Sequence, residues 1–245
     1  MNFFSLFKRK LIYQFKKKIN LDQINLENNN LDFLFEKFET DKANRFQNNI
    51  GHGYSKYYEK YLNHLKEKKI RILEIGSYSG ASAAAFVKYF PLAEIFCIDV
   101  NISNFKYISK QIKLFGMNVS DLNHIKKFKK KNNLYLEHNL FDIIIDDASH
   151  KLEDILFVLE NFNSFLKTNG FYIIEDCLFP NIYQHLDKLH ETKIDELIGF
   201  IKNKQDIPSK ILSEKTKKVL LNEISFAVIE KGHLSNSDIC FLKKK

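Results

Sequence analysis

Two apolar runs in the middle of the chain end abruptly in acids. They are FDIIIDDASH at 141–150 and FYIIED at 171–176. Short runs of β-branched and aromatic residues are typical of buried parallel strands, whose carboxyl ends open into a crevice. If the two strands are neighbours, the side chains that meet at their ends are Asp146, Asp147, Glu175, Asp176 and His150. Carboxylates so close together repel one another unless a cation lies among them. The pattern therefore predicts a divalent-metal site with a histidine base beside it.

These residues also have simpler structural explanations. His150 stands at the start of a predicted helix, where it could cap that helix or pack in the core. Glu175 and Asp176 could cap the helix that follows their strand. Acids at both strand ends favour the metal site over these alternatives.

The composition excludes several classes of protein. With 245 residues, 44% apolar and 28% charged, the chain is typical of a soluble globular protein with one large core. Its three cysteines are far apart, which argues against a disulfide framework and against a thiolate zinc site. Unpaired cysteines suit a reducing compartment, so we expect a cytoplasmic protein.

The net charge of +8 is concentrated in three short segments. Residues 1–18, 126–131 and 243–245 hold six, five and three basic side chains, and the rest of the chain has more acids than bases. The sequence has no RNA-recognition signature, zinc finger or arginine-rich arm. We therefore do not expect a nucleic-acid polymer as a partner.

Residues 1–30 are predicted to be a basic amphipathic segment followed by an asparagine-rich linker. The segment is too short and too charged to span a bilayer, and no small-residue cleavage site follows it. As a helix, it places on one side the apolar residues Phe3, Phe4, Phe7, Leu11 and Phe15. Two alternatives are open. The helix packs on the domain or on a second subunit as a homodimer, or it lies at an anionic membrane surface.

Residues 31–69 are predicted to form a helical cap before the first strand of the main domain. The segment holds the short sequences TDK at 40–42 and HGY at 52–54, and a tyrosine-rich helix follows. Such side chains are suited either to packing or to a flap over a ligand. The candidates for substrate contact are Lys42, His52, Tyr54 and Tyr58.

Residues 70–245 begin with a strand that runs into the sequence EIGSYSG. Gly76 and Gly80 let the backbone turn tightly and approach a ligand, and the alanine-rich run that follows starts a helix. The next strand ends at Asp99, which is placed to accept hydrogen bonds from ribose hydroxyls. These features together predict a cofactor that contains adenosine.

The rest of this domain alternates between predicted strands and helices. A helix is expected at 103–110, and a third strand at 111–115 is followed by Asn118 and Ser120, which could reach an adenine edge. The helix after His150 is expected to end at Gly170. Further helices are expected after Pro180, as far as about residue 202, and the chain closes with a β-hairpin. Alternating strands and helices require a parallel sheet with right-handed crossovers.

At this point the sequence resembles the class I S-adenosylmethionine-dependent methyltransferases over about residues 70–243. The resemblance depends on ILEIGSYSG, on Asp99, on the paired strand ends and on the terminal hairpin. It implies a Rossmann-like α/β fold with a seven-stranded, mostly parallel sheet and a C-terminal antiparallel hairpin. More narrowly, TDK, HGY, IDDASH and IIED resemble the bacterial metal-dependent sugar O-methyltransferases of macrolide and rhamnosyl type. Cephalosporin hydroxylase-like proteins are also similar.

The resemblance implies roles for individual residues. The residues expected to bind S-adenosylmethionine are Glu74, Gly76, Ser77, Gly80, Asp99, Asn118, Ser120 and Asp146. The residues expected to bind Mg²⁺ or Mn²⁺ are Asp147, Glu175 and Asp176. His150 would be the general base, with Asp147 as its catalytic partner, although a different alignment of the strand ends would make Asp146 the ligand. The spacer ANRFQNNI at 43–50 departs from the family pattern, so contacts of individual flap residues are left open.

The resulting hypothesis is a metal-assisted O-methyltransferase that acts on a sugar hydroxyl. The acceptor would be a small carbohydrate, expected to be nucleotide-linked, with a heptose for capsule or another surface polysaccharide as one specific form. Two alternatives are a methyltransferase of a small-molecule hydroxyl in secondary metabolism and a hydroxylase-like protein on the same fold. An Asn-Pro-Pro-Tyr sequence, typical of nucleic-acid and protein N-methyltransferases, is not found after the fourth strand, where the chain has DDASH.

Overall fold

The structure is a computed structural model that describes residues 3–26, 29–182 and 191–245. The chain divides into two compact units, Met1–Asn118 and Val119–Lys245. No helix among the described residues combines the length and the apolar character needed to cross a bilayer. The domain boundaries expected from the sequence, at residues 30 and 69, stay predictions.

The first unit contains helices that precede and follow its first long strand. The helices are α1 (Phe3–Phe15), α2 (Leu31–Lys37), α3 (Ser55–Leu62) and α4 (Ala81–Tyr89). The strands are β1 (Ile19–Asn20), β2 (Arg45–Phe46), β3 (Asn49–Ile50), β4 (Arg71–Ile75), β5 (Glu94–Asp99), β6 (Tyr107–Ile108) and β7 (Ile112–Gly116). β4 pairs with β5, and β5 with β7, both in parallel. The middle residues of β4 and β5 are buried, as expected of parallel strands that are covered on both faces.

Packing in the first unit follows from small and aromatic side chains. The run of alanines in α4 is fully buried, because short side chains let a helix approach its neighbours closely. Phe35 of α2, Tyr58 of α3 and Phe86 of α4 form an aromatic cluster with ring centroids 5.5–5.9 Å apart. Asn30 caps α2, since its side chain accepts a hydrogen bond from the backbone N–H of Phe33 at 2.8 Å.

The second unit consists of alternating strands and helices and ends in a hairpin. Its helices are α5 (Leu122–Lys131), α6 (Leu152–Phe162), α7 (Phe179–Ile182), α8 (Ile194–Asn203) and α9 (Glu214–Glu223). Its strands are β8 (Phe141–Asp146), β9 (Leu166–Glu175), β10 (Ile224–Lys231) and β11 (Asp238–Lys244). β8 and β9 are parallel, whereas β11 is antiparallel to both β9 and β10.

Seven of the strands form one sheet, in the order β10-β11-β9-β8-β4-β5-β7. The sheet is mostly parallel, and its antiparallel part is the C-terminal hairpin of β10 and β11. This is the Rossmann-like fold class expected from the sequence, which is thereby confirmed.

Helix α6 shows why the chain forms a helix directly after the first acidic strand end. Its buried residues recur at helical spacing: Leu152, Ile155, Leu156, Val158, Leu159 and Phe162. Glu153 and Asp154 occupy the first turn, where a carboxylate is favourable beside the positive end of the helix dipole. The start of α6 therefore fixes where the preceding loop, residues 147–151, must end.

Some local expectations were wrong. The segment at 103–110 is not a helix, because it forms a 3₁₀ turn at Ile102–Asn104 and then β6, which pairs in parallel with β1. Asn20 in this pairing and the 3₁₀ turn at Leu21–Gln23 belong to the asparagine-rich part of residues 1–30, so part of the expected linker has regular structure. α6 ends at Phe162, well before Gly170, since the residues before Gly170 form a bulge in β9 and Asn169 has a φ of 62°.

The helix expected after Pro180 is only partly covered by the described residues. α7 and α8 occupy its beginning and its end. Residues 183–190, which it would also include, lie outside the described residues.

Candidate active site

The loop after β4 has the backbone conformation of a ligand-binding turn. Gly76 and Gly80 have φ values of 91° and 79°, in the left-handed region that favours glycine. The backbone N–H groups of Gly76 and Ser77 donate to the carbonyl oxygen of Ile98 at 2.8 and 3.2 Å. Gly80 then serves as the N-cap of α4. The loop is thus anchored to the neighbouring strand β5 and directs the start of α4.

Asp99, at the end of β5, is hydrogen-bonded to the same loop. One carboxylate oxygen accepts from the backbone N–H of Tyr78 at 2.8 Å, and the other accepts from that of Asn101 at 2.5 Å. Carboxylate oxygens have further lone pairs, so these bonds leave acceptor capacity for a ligand hydroxyl. The structure therefore brings Asp99 together with Gly76, Ser77 and Gly80.

Glu74 lies at the base of this loop and is completely buried. Its side chain accepts a hydrogen bond from the hydroxyl of Ser82, which is also buried. Ser77 donates from its hydroxyl to the backbone oxygen of Glu74 at 3.2 Å. Burial, and next the charge of Glu74, raise the pKa of the Cys97 thiol well above its ordinary value. A raised pKa keeps the thiol in its protonated form, which is the less nucleophilic one.

Ser82, in the first turn of α4, is a neighbour of this loop that was not predicted as a site residue. A serine within the run ASAAAF looks like one more small residue of a closely packed helix. The signal that could have found it was its position in the first turn of the helix that follows the glycine loop, eight residues after Glu74.

Asn118 and Ser120 lie in the loop after β7. Asn118 is half-buried and Ser120 is exposed. The next residue, Asp121, caps α5 by accepting a hydrogen bond from the backbone N–H of Asn123 at 2.8 Å. The positions agree with the expected third strand end, and contact with an adenine edge stays a prediction.

The second unit brings together Asp147, His150 and Asp176. Each offers one potential ligand atom, and the three atoms lie within 4.8 Å of one another. His150 Nε2 is 3.7 Å from Asp147 Oδ1 and 3.9 Å from Asp176 Oδ2. All three side chains are half-buried. Two carboxylates and one imidazole at these separations can either surround a divalent cation or hold a proton acceptor between two acids.

Backbone strain marks two members of this cluster. His150 has a φ of 54° and Asp176 a φ of 48°, although neither is a glycine. Such a conformation costs roughly 1–3 kcal/mol and persists only where surrounding structure enforces it, often at functional sites. Ser149 contributes to that enforcement, because its hydroxyl donates to Asp154 Oδ2 of α6 at 2.5 Å. The ring of Phe179 lies 6.0 Å from that of His150.

Asp146 differs from its neighbour Asp147. Its side chain is buried, and among the described residues Oδ2 has no hydrogen-bond partner. Burial, and next the charge of Asp147, raise the pKa of the Asp146 carboxyl from 3.8 to about 8, although the backbone N–H of Ala148 donates to it. Asp147, and not Asp146, is the member of the three-residue cluster.

Glu175 has a position unlike that of Asp176. It is the last residue of β9, it is buried, and within the described part of the chain it belongs to no group of three potential metal ligands. Its register partner on β11 is Ile239. The sequence pattern does not distinguish Glu175 from Asp176, but the strand ends between them. Their roles as ligands stay predictions.

The cap segments TDK and HGY are joined by backbone hydrogen bonds. His52 N–H donates to Asp41 O at 2.7 Å, and Tyr54 N–H donates to Lys42 O at 2.9 Å. His52 Nε2 also lies 3.8 Å from Asp41 Oδ2 and its ring is 5.2 Å from that of Tyr54. Lys42, Tyr54 and Tyr58 are all buried, and Tyr58 packs in the aromatic cluster of the first unit. The structure therefore groups Lys42, His52 and Tyr54, and the backbone N–H of Tyr58 donates to the backbone oxygen of Tyr54 at 3.1 Å.

Two characterised proteins have sequences similar to that of this chain. No protein-family profile matches the chain. The chain is 29% identical over 153 residues to the L-olivosyl-oleandolide 3-O-methyltransferase of Streptomyces antibioticus, covering 60% of the chain and 36% of the relative. It is 27% identical over 134 residues to the 8-demethyl-8-(2-methoxy-alpha-L-rhamnosyl)-tetracenomycin-C 3'-O-methyltransferase of Streptomyces olivaceus, covering 52% and 33%. The matches thus span about a third of the length of these relatives.

Solved structures show the same fold. The MycE methyltransferase of the mycinamycin biosynthetic pathway, in complex with Mg and SAH, matches with a TM-score of 0.65 and 19% identity, over 88% of this chain and 54% of that one. A second MycE structure, which also contains mycinamycin VI, matches with a TM-score of 0.64 and 17% identity over the same shares. The fold is therefore that of the class I methyltransferases. In sequence, the chain resembles sugar O-methyltransferases of macrolide and rhamnosyl type, as expected.

Proposed function

We propose that the protein is an S-adenosylmethionine-dependent, metal-assisted O-methyltransferase that methylates a sugar hydroxyl. The observation that carries this proposal is the cluster of Asp147, His150 and Asp176 after the parallel strands β8 and β9. The sequence relatives, which are named as O-methyltransferases of sugar-bearing compounds, support the acceptor class. The MycE structures contain Mg and SAH, which supports the choice of metal and cofactor.

The loop after β4 is the part of the chain that would hold the cofactor. S-adenosylmethionine supplies a methyl group already activated by its sulfonium, so the protein needs to bind and align it and does not need to activate it. Gly76, Ser77 and Gly80 would bind the methionine end through a backbone that is already turned, with Glu74 beneath them. Asp99 would accept hydrogen bonds from the ribose hydroxyls.

The three-residue cluster has the donor types that suit a hard divalent cation. Mg²⁺ or Mn²⁺ prefers carboxylate oxygen, and the two acids of the cluster provide it. Bound there, the ion would supply positive charge that orients the acceptor hydroxyl and lowers its pKa. Asp147 and Asp176 would hold it, with Glu175 as a further candidate. The cluster holds one histidine, whereas the iron site of hydroxylase chemistry commonly uses two, so we favour methyl transfer.

His150 would act as the general base. A sugar hydroxyl is a poor nucleophile, so its proton must leave as the oxygen attacks the methyl group. The imidazole lies between two acids, at 3.7 Å from Asp147 and 3.9 Å from Asp176. These carboxylates would orient the ring and stabilise the imidazolium that forms when Nε2 takes the proton.

Two kinds of compound could carry the sugar hydroxyl that accepts the methyl group. A nucleotide-linked sugar, for instance a heptose destined for capsule or another surface polysaccharide, agrees with a cytoplasmic enzyme. A glycoside of secondary metabolism agrees with the names of the sequence relatives. The first is our proposal for this chain, and the second is the alternative that the same experiment tests.

The experiment is methyl transfer from S-adenosylmethionine to a panel of nucleotide-linked sugars and macrolide glycosides, with added Mg²⁺ and again with excess EDTA. We expect a methylated nucleotide sugar that forms only with the metal, and its mass fragments would locate the hydroxyl. Methylation of glycosides alone would establish the alternative acceptor. Binding of the cofactor without transfer to any sugar would contradict the proposed acceptor class.

A further inference from the structure

One side of α1 exposes a line of apolar side chains. Phe7, Leu11 and Phe15 recur at every fourth position, so they follow one another along the helix. Their exposed fractions are 52%, 39% and 87%, and Ile12 beside them is 48% exposed. These four residues form the α1 stripe. A helix that only packs on its own domain turns such a stripe inwards, whereas this one turns it outwards.

Hydrogen bonds of Arg9, in α1, and of Lys16, which follows its last residue, attach the helix to other residues of the first unit. Arg9 donates from its guanidinium to the backbone oxygen of Val100 at 2.8 Å. Lys16 donates from Nζ to the backbone oxygens of Ser103 and Asn104 at 3.1 and 3.3 Å. Attachment through Arg9 and Lys16 determines which side faces outwards. The α1 stripe is therefore exposed because these hydrogen bonds determine the orientation of the helix.

A groove of about 700 Å³ lies beside the stripe. Its lining residues are Leu11, Ile12, Phe15, Lys16, Ser103 and Asn104. One wall is apolar, and the other holds Lys16, whose ammonium group donates to the backbone oxygens of Ser103 and Asn104. A groove with these two properties suits a hydrocarbon chain that carries an anionic head group.

The charges around the stripe identify the kind of partner. Residues 1–18 hold six basic side chains and no acid. Lys8 and Lys10 are exposed and lie on the two sides of Phe7. Pairing with a second copy would bring twelve positive charges together without compensating acids from these segments, which opposes a dimer through this helix. The same positive charges attract an anionic surface.

We propose that α1 binds the surface of a membrane that contains anionic phospholipid. The α1 stripe enters the interface, and Lys8 and Lys10 lie among the phosphate groups. Aromatic and aliphatic side chains buried at the boundary between head groups and acyl chains provide affinity, and the lysines add electrostatic attraction. This binding is separate from methyl transfer and does not depend on the proposed chemistry.

Sedimentation with lipid vesicles tests the proposal on the full chain. One set of vesicles consists of phosphatidylcholine with phosphatidylglycerol, and the other consists of phosphatidylcholine alone. We expect binding to the anionic vesicles that is at least about tenfold tighter than binding to the neutral ones and that weakens as salt is added. No binding to the anionic vesicles, or equal binding to both kinds, would overturn the proposal.

Matched variants test the residues. Phe15→Ser should reduce binding to anionic vesicles about tenfold, because it removes the most exposed aromatic side chain of the stripe. Phe33→Ser, at a phenylalanine on α2 that is 45% exposed, should leave binding unchanged. The double change Lys8→Glu and Lys10→Glu should also reduce it at least about tenfold, whereas Lys126→Glu with Lys127→Glu on α5 should not.

Two controls make the result decisive. Circular dichroism and thermal unfolding would establish that each variant is folded. Sedimentation velocity without lipid should show a monomer. A dimer that Phe15→Ser dissociates would mean that a second copy covers the stripe, and this would overturn the proposal, as would vesicle binding that neither α1 variant reduces.

Discussion

Replacing Gly80 by alanine should destabilise the protein through two effects that can be estimated from the structure. Gly80 has a φ of 79°, and a left-handed conformation costs a residue with a side chain about 1–2 kcal/mol. A Cβ at this position would also lie 2.6 Å from ring atoms of Phe105, which is completely buried. Overpacking of this kind costs about 1–3 kcal/mol. We therefore expect the free energy of unfolding to fall by about 2–5 kcal/mol.

Thermal unfolding followed by circular dichroism measures this effect. For a chain of this size, 1 kcal/mol shifts Tm by about 2–4 °C, so Gly80→Ala should lower Tm by about 4–20 °C. Gly199→Ala is the matched control, because nothing lies within 4 Å of a Cβ built there and Gly199 is inside α8. Alanine is favoured over glycine in a helix, so this control should unfold at or slightly above the Tm of the parent.

Calorimetric titration with S-adenosylmethionine extends the test to function. If the backbone of the loop holds the cofactor, Gly80→Ala should weaken its binding at least about tenfold, since the clash must move the loop or the Phe105 ring. Gly199→Ala should bind as the parent does. If Gly80→Ala unfolds within 1 °C or so of the parent, the reasoning from packing is refuted.

Three further predictions concern the candidate site. His150→Ala should lower turnover by about two to four orders of magnitude and leave cofactor affinity unchanged, and undiminished turnover would remove His150 from the mechanism. Asp99→Ala should weaken cofactor binding at least about tenfold in a calorimetric titration, because it removes an acceptor for ribose, and unchanged affinity would contradict the assigned role. In EDTA, the free energy of unfolding should decrease as pH rises from about 4 to about 8. The folded state keeps a proton on Asp146, whose pKa is raised to about 8, and the unfolded chain has already lost it. The expected slope is up to about 1.4 kcal/mol per pH unit, and urea unfolding of Asp146→Asn should lack this component.

The main features of the fold could be predicted because local patterns determine them. β8 and β9 are continuous apolar runs, α6 has buried residues at helical spacing, and the terminal hairpin has two strands separated by a polar turn. The prediction of a helix at 103–110 was wrong because the structure of this segment depends on distant partners. β6 pairs with β1, almost ninety residues earlier in the chain. The local spacing of apolar residues does not indicate such a distant pairing.

The site could be predicted as a set of residue types but not as an arrangement. The sequence shows two acids at each strand end and cannot tell which acid of each pair leaves the strand. In the structure, Asp146 and Glu175 are the last residues of their strands and are buried, whereas Asp147 and Asp176 follow them and join His150. The positive φ values at His150 and Asp176 are a further feature that residue types do not reveal, because neither residue is a glycine.

A titration with Mn²⁺ tests whether Asp147 and Asp176 form a metal centre. Electron paramagnetic resonance measures free Mn²⁺ during a titration of the protein with bound S-adenosylmethionine. We expect one bound ion per chain and a loss of affinity of at least about tenfold in Asp147→Asn and in Asp176→Asn, since each change removes a carboxylate ligand. Asp121→Asn, where asparagine also caps a helix, should bind as the parent does. Absence of bound Mn²⁺, or equal affinity in the parent and in both cluster variants, would contradict a metal centre built from Asp147 and Asp176.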